Sequence, residues 1–302
     1  MPELPDVTVY CECLAIRTVG ATLERISVVS PNLLRTAEPP LEAAFGRTVS
    51  GVRRVGKRIV LALTGDLFLV LHLMISGRLR WYPDAKAPGG KAPGARGKIG
   101  LATFGFSTGT LVLTEASTHK RASLHLVAGE AGVAALDPGG IEPLAATLDQ
   151  FRAALTRGSH TLKRGLTDPA ALSGIGNSYS DEILHRARLS PLTLTSRLTT
   201  EQIERLYQAT RETLREWTDR LRAEVGAGFP EKVTAFRDGM AVHGRYQQPC
   251  PDCGAPVQRI VYAEHETNYC ARCQTGGRLL ADRALSRLLR SDWPRTLEEM
   301  EG

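Results

Sequence analysis

Two groups of residues have types and spacings that could do chemistry. The first is the start of the chain, Met1-Pro2-Glu3-Leu4-Pro5. A proline directly after the initiator methionine is small enough for that methionine to be trimmed, which would leave Pro2 as a free secondary amine. An α-amino group titrates at about 8 in model peptides, so a useful fraction is uncharged at neutral pH. Such an amine attacks an electrophilic carbon and forms an iminium, the covalent strategy of catalytic lysines. Glu3, one residue away, is a carboxylate that could move protons beside it. On these five residues alone the commoner reading is a stiff lead-in to a helix, where proline is well tolerated. The second group is Cys250-Pro251-Asp252-Cys253 and Cys270-Ala271-Arg272-Cys273, two C-x2-C pairs separated by sixteen residues. That spacing matches a four-thiolate zinc ribbon, in which each pair closes a knuckle around a tetrahedral ion and the stretch between forms a hairpin. With four sulfur ligands no position stays open for catalysis, so one structural Zn2+ is expected, holding a fold. His243 and His265 flank these cysteines and are not needed as ligands.

The elements that must position these residues follow from periodicity. Residues 5–19 read as a helix, with Val7, Tyr10, Cys11, Leu14 and Thr18 at helical spacing. Cys11 and Cys13 face different sides of it and make a poor metal pair. Short β-branched runs at 23–29, 48–55, 58–63, 67–73, 99–106, 111–114 and 124–127 predict strands, and their close spacing predicts an antiparallel sandwich or barrel. The basic, Gly- and Pro-rich stretch 83–98 cannot bury a core and reads as a loop. After the turn-rich Asp137-Pro138-Gly139-Gly140 the pattern becomes helical, at 147–156, 164–173, 178–188 and 200–223. Gly174-Ile175-Gly176-Asn177 lies between two of these helices. Its glycines would let backbone approach a phosphate at a helix N-terminus, although such a turn is more often a plain connector. Beyond the ribbon, 279–289 predicts a short amphipathic helix with Arg283, Arg287 and Arg290 on one face.

Length and charge bound the rest. A chain of 302 residues can hold about two domains, and 42% apolar with 23% charged residues is ordinary for a globular protein. The absence of a signal-type or membrane-spanning apolar run predicts an intracellular, cytoplasmic protein, where disulfides are disfavoured. A net charge of +6 suits a polyanionic partner without proving one.

Taken in order, these pieces resemble the formamidopyrimidine-DNA glycosylase and endonuclease VIII (Fpg/Nei) family of base-excision repair enzymes. The resemblance covers residues 1 to about 274. It rests on Met1-Pro2-Glu3-Leu4-Pro5, on Val55-Gly56-Lys57-Arg58 and on His72-Leu73-Met74-Ile75-Ser76-Gly77. It rests also on Leu162-Lys163 leading into Gly174-Ile175-Gly176-Asn177, on Val242-His243-Gly244-Arg245 and on the ribbon ending Cys273-Gln274. It implies an α+β multidomain fold: an N-terminal antiparallel β-sandwich with a leading helix (1–135), a helix-two-turn-helix domain (136–245), a zinc finger (246–274) and a C-terminal tail (275–302).

The same resemblance implies the function. Pro2 is similar to a nucleophile that attacks C1′ of a damaged nucleotide, Glu3 to a proton carrier, and Lys57 to a phosphate contact that assists elimination. His72, Ile75, Arg121, Lys163, Asn177, Arg245 and His265 match positions that contact DNA, and Cys250, Cys253, Cys270 and Cys273 match the zinc ligands. The implied partner is double-stranded DNA with a damaged base or abasic site, bound by a monomer. Where the family usually has His-Leu-Gly-Met-Ser-Gly, this chain has Met74 for the glycine and Ile75 as the apolar wedge. Where one branch has Asp-Pro-Arg-Arg-Phe-Gly, it reads Ser117-Thr118-His119-Lys120-Arg121-Ala122-Ser123, with Ala122 at the phenylalanine position. The usual arginine of the ribbon aligns with His265 or is absent, and Asp6 stands where glutamate is common. These departures leave the lesion open. Two other readings compete: a paralogue that binds damaged DNA without cutting it, and an N-terminal proline acting as acid/base on small keto acids, for which a zinc ribbon has no use.

Overall fold

In the N-terminal half the strands at the sheet's edges alternate buried and more exposed residues, as in Gly77–Pro83. Arg58–Leu63 and Leu67–His72 are instead nearly continuous apolar runs, as strands covered on both faces require. The computed structural model describes residues 1–83, 99–262, 265–281, 283–289 and 294–301. Of the basic stretch 83–98, only Pro83 falls within them. By its contacts the chain divides into two units, one comprising Met1–Pro138 with Trp217–Thr234, the other Gly139–Glu216 with Ala235–Gly302.

The first unit opens with helix α1 (Leu4–Thr18) and contains strands β1 (Thr22–Val28), β2 (Arg47–Val55), β3 (Arg58–Leu63) and β4 (Leu67–His72). After these come β5 (Gly77–Pro83), β6 (Gly100–Phe106), β7 (Gly109–Glu115) and β8 (Ser123–Ala128). They form an antiparallel sheet in the order β5-β7-β6-β1-β2-β3-β4-β8. β1 and β2 pair only at Thr22–Thr48 and Leu23–Arg47, so the sheet can fold over at that seam. Both halves feed one core: Ile59, Leu61 and Leu63, Leu67, Leu69 and Leu71, Phe104 and Phe106, Leu111 and Leu113, and Leu124 and Leu126 all point inward. Val7, Tyr10 and Leu14 of α1 enter the same core with Cys11, whose thiol is pushed up to about 12 by burial. The opposite face of β3 and β4 (Val60, Phe68, Val70) is covered by Val133 of a short helix α2 (Gly129–Ala134) that the pattern did not predict.

β5 is a second departure. Its inward residues Leu79 and Trp81 alternate with Arg78 and Arg80, and the run is too short and too charged to stand out until paired with β7.

The second unit holds α3 (Leu148–Leu155), α4 (Leu162–Thr167), α5 (Asn177–Arg186), the ribbon strands β9 (Val257–Tyr262) and β10 (His265–Cys270), and α7 (Ala271–Thr275). α6 (Thr200–Val225) begins in this unit and ends in the first. There Leu221 packs with Val9 and Cys13, and Arg222 grips both carboxylate oxygens of Glu12 at 2.9 and 2.6 Å.

The expected helix 164–173 is cut short. Asp168 precedes Pro169, whose ring disfavours helical backbone in the residue before it, and Asp168 is extended (φ −71, ψ 112). The expected helix 279–289 starts late, as α8 (Arg283–Leu289). Leu279 and Leu280 are instead drawn onto the ribbon core by bonds from Leu279 N to Arg295 O (2.8 Å) and from Leu280 N to Tyr269 Oη (2.7 Å). A last turn, α9 (Leu297–Glu301), adds Leu297 to that core. Of the predicted arginine face, Arg290 and the side chain of Arg283 lie outside the described residues. No helix among the described residues is long and apolar enough to cross a membrane.

Candidate active site

The terminus is set by the start of α1. Glu3 stands before the helix in extended conformation, and Asp6, in the first turn, accepts from the Glu3 backbone N–H at 2.8 Å. The shorter carboxylate at position 6 therefore suffices to cap this helix. Pro2 and Glu3 are buried. Burial lowers the pKa of the Met1 amine, against the nearby Glu3 carboxylate, which raises it; Arg78 and Lys57 add to the lowering. Lys57 sits on the β2–β3 hairpin turn just after Gly56, whose φ of 60° favours glycine. Its ammonium is likewise depressed by burial and held up by Glu3. Glu3 and Lys57 thus lie within electrostatic reach of the N-terminal amine and of each other. A desolvated amine loses its proton more readily and is the better nucleophile, with a carboxylate beside it to carry protons.

His72 ends β4, paired across to Arg58 on one side and to Ser123 on the other. Burial, followed by the charges of Arg58, Lys57 and His125, pulls it down to about 4, so it is neutral at physiological pH. An unfolded histidine titrates at about 6.5. Between those values the unfolded chain binds the extra proton, so stability is present above pH ~6.5 and lost as pH falls toward 4. His72→Gln is expected to flatten that part of the stability–pH curve, read by thermal unfolding from pH 7 to pH 4; an unchanged slope would contradict the assignment.

The turn after His72 presents Ile75, which is 54% exposed. Met74 adopts φ 51°, the left-handed region that explains why glycine suits this position and costs a side chain about 1 kcal/mol. Gly77 is required by a close approach: a Cβ there would lie 2.3 Å from Leu73 O, the atom its own N–H bonds at 2.9 Å. Arg78 ties the turn down, donating to Ile75 O (3.2 Å), Gly77 O (2.7 Å) and Val233 O (2.5 Å). Arg121 is exposed on the β7–β8 loop, whereas Ala122 is buried in the sandwich core and holds no tip position. Sequence reading missed Arg78 and Glu115, the buried residue that anchors this loop; neither stands in a local pattern that marks it.

In the second unit the Gly174–Gly176 turn, with Gly174 at φ 80°, places Asn177 at the start of α5. Lys163 reaches it, donating from Nζ to Asn177 O (2.7 Å) and to Asp181 Oδ1 (2.5 Å). Asp181 is fully buried and also accepts from His243 Nδ1 (2.8 Å) and Asn268 N (3.2 Å). Asn177 Nδ2 donates to Glu266 O at 2.9 Å. Next to Asp181, Glu182 accepts the backbone N–H groups of Ala241, Val242 and His243 at 2.7–2.9 Å. Burial pushes its carboxyl above the usual range, while those three bonds oppose the shift. Arg245 braces the same loop through Met240 O, Gln248 Oε1 and Pro249 O. Lys163 and Asn177 are therefore tied to the ribbon hairpin through Asp181 and Glu266, while Arg245 braces the loop that precedes it. The side chain of His265 lies outside the described residues; its backbone opens β10 opposite Tyr262.

The four cysteines converge, all Sγ atoms lying within 4.8 Å of one another, with Cys250–Cys273 at 3.9 Å and Cys253–Cys270 at 3.4 Å. Tetrahedral zinc with Zn–S near 2.3 Å separates its sulfurs by about 3.8 Å, so the donor set fits one structural zinc ion. Neither His243 nor His265 is needed; His185 Nε2 instead approaches Cys250 Sγ at 3.3 Å.

Family models agree along the chain: the formamidopyrimidine-DNA glycosylase N-terminal domain over residues 1–130, its H2TH domain over 140–222, and the zinc finger found in FPG and IleRS over 247–276. A formamidopyrimidine-DNA glycosylase from Heliobacterium modesticaldum is 33% identical over 286 residues, covering 91% of this chain and all of the relative. Among solved structures, MutM in complex with DNA containing carbocyclic 8-oxo-G matches with a TM-score of 0.78 at 26% identity, over 91% of this chain and 100% of that one. Lactococcus lactis Fpg with DNA containing an oxidized pyrimidine matches with a TM-score of 0.76 at 26% identity and the same coverage. With this architecture, a four-cysteine zinc finger and relatives of matching length, the chain belongs to the formamidopyrimidine-DNA glycosylase family.

Proposed function

We propose that this chain excises a damaged, oxidised base from double-stranded DNA and cuts the strand at the abasic site that results, through a covalent intermediate on Pro2. The observation that carries the reading is the buried Pro2-Glu3 start of the chain, near Lys57 and Arg78, in surroundings whose burial already lowers the pKa of the preceding Met1 amine. With Met1 removed, the Pro2 nitrogen attacks C1′, the glycosidic bond breaks, and the base departs with a proton relayed by Glu3. The bound nitrogen, having lost its proton, then opens the C1′–O4′ bond as O4′ takes up a proton from Glu3, and this ring opening gives the iminium. The iminium draws electrons from C2′; loss of a C2′ proton expels the 3′ phosphate, and water releases the sugar fragment from Pro2. Extruding the nucleotide costs a few kcal/mol, which phosphate contacts by Lys57, His72, Lys163, Asn177 and Arg245 would offset. Relatives bound to both an 8-oxoguanine analogue and an oxidised pyrimidine support oxidised bases as the substrate class without choosing one.

The test is reductive trapping. The protein is incubated with abasic-site duplex and borohydride, and the adduct is mapped by mass spectrometry. A covalent adduct on Pro2 is expected, lost when an uncleaved N-terminal extension blocks the amine. No adduct from folded protein leaves a damage-binding protein without lyase chemistry, and an adduct on Lys57 would reassign the nucleophile.

A further inference from the structure

Glu115, the last residue of β7, is only 1% exposed and is not among the residues that chemistry or motif picks out. Its carboxylate nevertheless serves two separate loops. Oε1 accepts from Ser76 Oγ at 3.2 Å, in the turn that carries the exposed Ile75. Oε2 accepts from the backbone N–H groups of Arg121 at 2.9 Å and Ala122 at 3.1 Å, in the loop that carries the exposed Arg121. Lys120 Nζ closes on the Glu115 carbonyl, and Glu115 N is bonded to Ile99 O at 2.8 Å, so the carboxylate stands on a fixed strand end. β5 begins at Gly77, directly opposite Glu115 in the sheet register, which keeps the two loops side by side.

The two tips have complementary chemistry. An apolar side chain such as Ile75 can wedge between stacked bases, while the Arg121 guanidinium can donate a forked pair of bonds to a base edge. Each is useful only at a set distance from the other, and each comes from a loop that could move alone. We propose that Glu115 is a positioning residue that locks Ile75 and Arg121 into a single two-pronged probe of the base stack and of the base opposite the damaged nucleotide. The inference rests on the DNA-repair reading above. It deepens that reading by assigning opposite-strand recognition to one buried carboxylate.

The geometry sets the chemistry of the variants. Glu115→Gln keeps an oxygen for the two N–H groups and offers an N–H to Ser76 Oγ, so it preserves the link. Glu115→Ala leaves two N–H groups, that of Ala122 buried, without acceptors and frees both loops.

Two readouts test the proposal. The first is binding to a duplex carrying a tetrahydrofuran abasic analogue opposite 2-aminopurine, whose fluorescence reports unstacking of the opposite base and needs no catalysis. The second is single-turnover cleavage of an abasic site in duplex and in single-stranded DNA. Wild-type protein and Glu115→Gln are expected to change the fluorescence; Glu115→Ala, Ile75→Ala and Arg121→Ala are expected not to. Glu115→Ala should slow duplex cleavage at least about tenfold, the effect of losing one or two interactions of ordinary strength, and leave the single-strand rate within about twofold. Equal losses on both substrates would mark Glu115 as merely structural and overturn the proposal, as would a normal fluorescence change in Glu115→Ala. Should that variant fail to fold, Ser76→Ala, which cuts only the link to the Ile75 turn, must weaken the fluorescence change or the proposal falls. Wild-type protein that gives the fluorescence change but cleaves neither substrate refutes the lyase reading and leaves this inference standing.

Discussion

Cys253→Ser is expected to unfold the ribbon hairpin, release the zinc and abolish tight DNA binding together. Cys250 and Cys270 are buried at the centre of a small core that also contains Val257, Tyr269, Ala271, Leu279, Leu280 and Leu297. That core is too small to hold alone, and structural zinc contributes about 10–16 kcal/mol in isolated fingers at neutral pH. Losing one thiolate loses much of that term. The consequence reaches beyond the hairpin, because Glu266 O receives Asn177 and the Asn268 backbone N–H donates to Asp181. Zinc content by metal analysis, hydrogen exchange over 247–276 and DNA affinity should fall in step. A zinc-free variant whose hairpin amides remain protected would refute the prediction.

The second large effect is expected at Asp181. One fully buried carboxylate neutralises Lys163 and orients His243 and Asn268. Replacing it with alanine leaves an ammonium whose side chain is only 14% exposed without a counter-charge. Removing one partner of a buried pair costs about 3–5 kcal/mol, whereas removing both is far cheaper. Asp181→Ala should therefore lower the melting temperature by about 10 °C, and adding Lys163→Met should restore much of the loss. Thermal unfolding of the two single variants and the double variant measures this. Additive losses would show that the pair is not coupled. Because Lys163 and Asn177 are positioned through Asp181, the single variant should also bind DNA more weakly, at temperatures where it remains folded.

Much of the fold and of the candidate site is legible in the chain's own residue order, because the informative residues lie close together. The terminal Pro2-Glu3 pair and the two C-x2-C knuckles are chemistry written in neighbouring residues. Most strands of the first unit announce themselves as short β-branched and apolar runs, as in Ile59, Val60, Leu61 and Leu63. The misreadings are also local competitions. Pro169 ended α4 against its helical pattern, and pairing with β7 drew the arginine-rich β5 into the sheet.

What the sequence by itself determined is the set of candidate reactive groups, the four-cysteine donor set and the order of the elements, since all of these depend on composition and short spacing. Only the tertiary structure decided how those groups are held. Ser76 and Glu115 are 39 positions apart, Asp181 and His243 are 62, and Arg78 and Val233 are 155. Hydrogen bonds across such gaps follow from packing, where one buried carboxylate must find its donors in whatever segments the fold brings beside it.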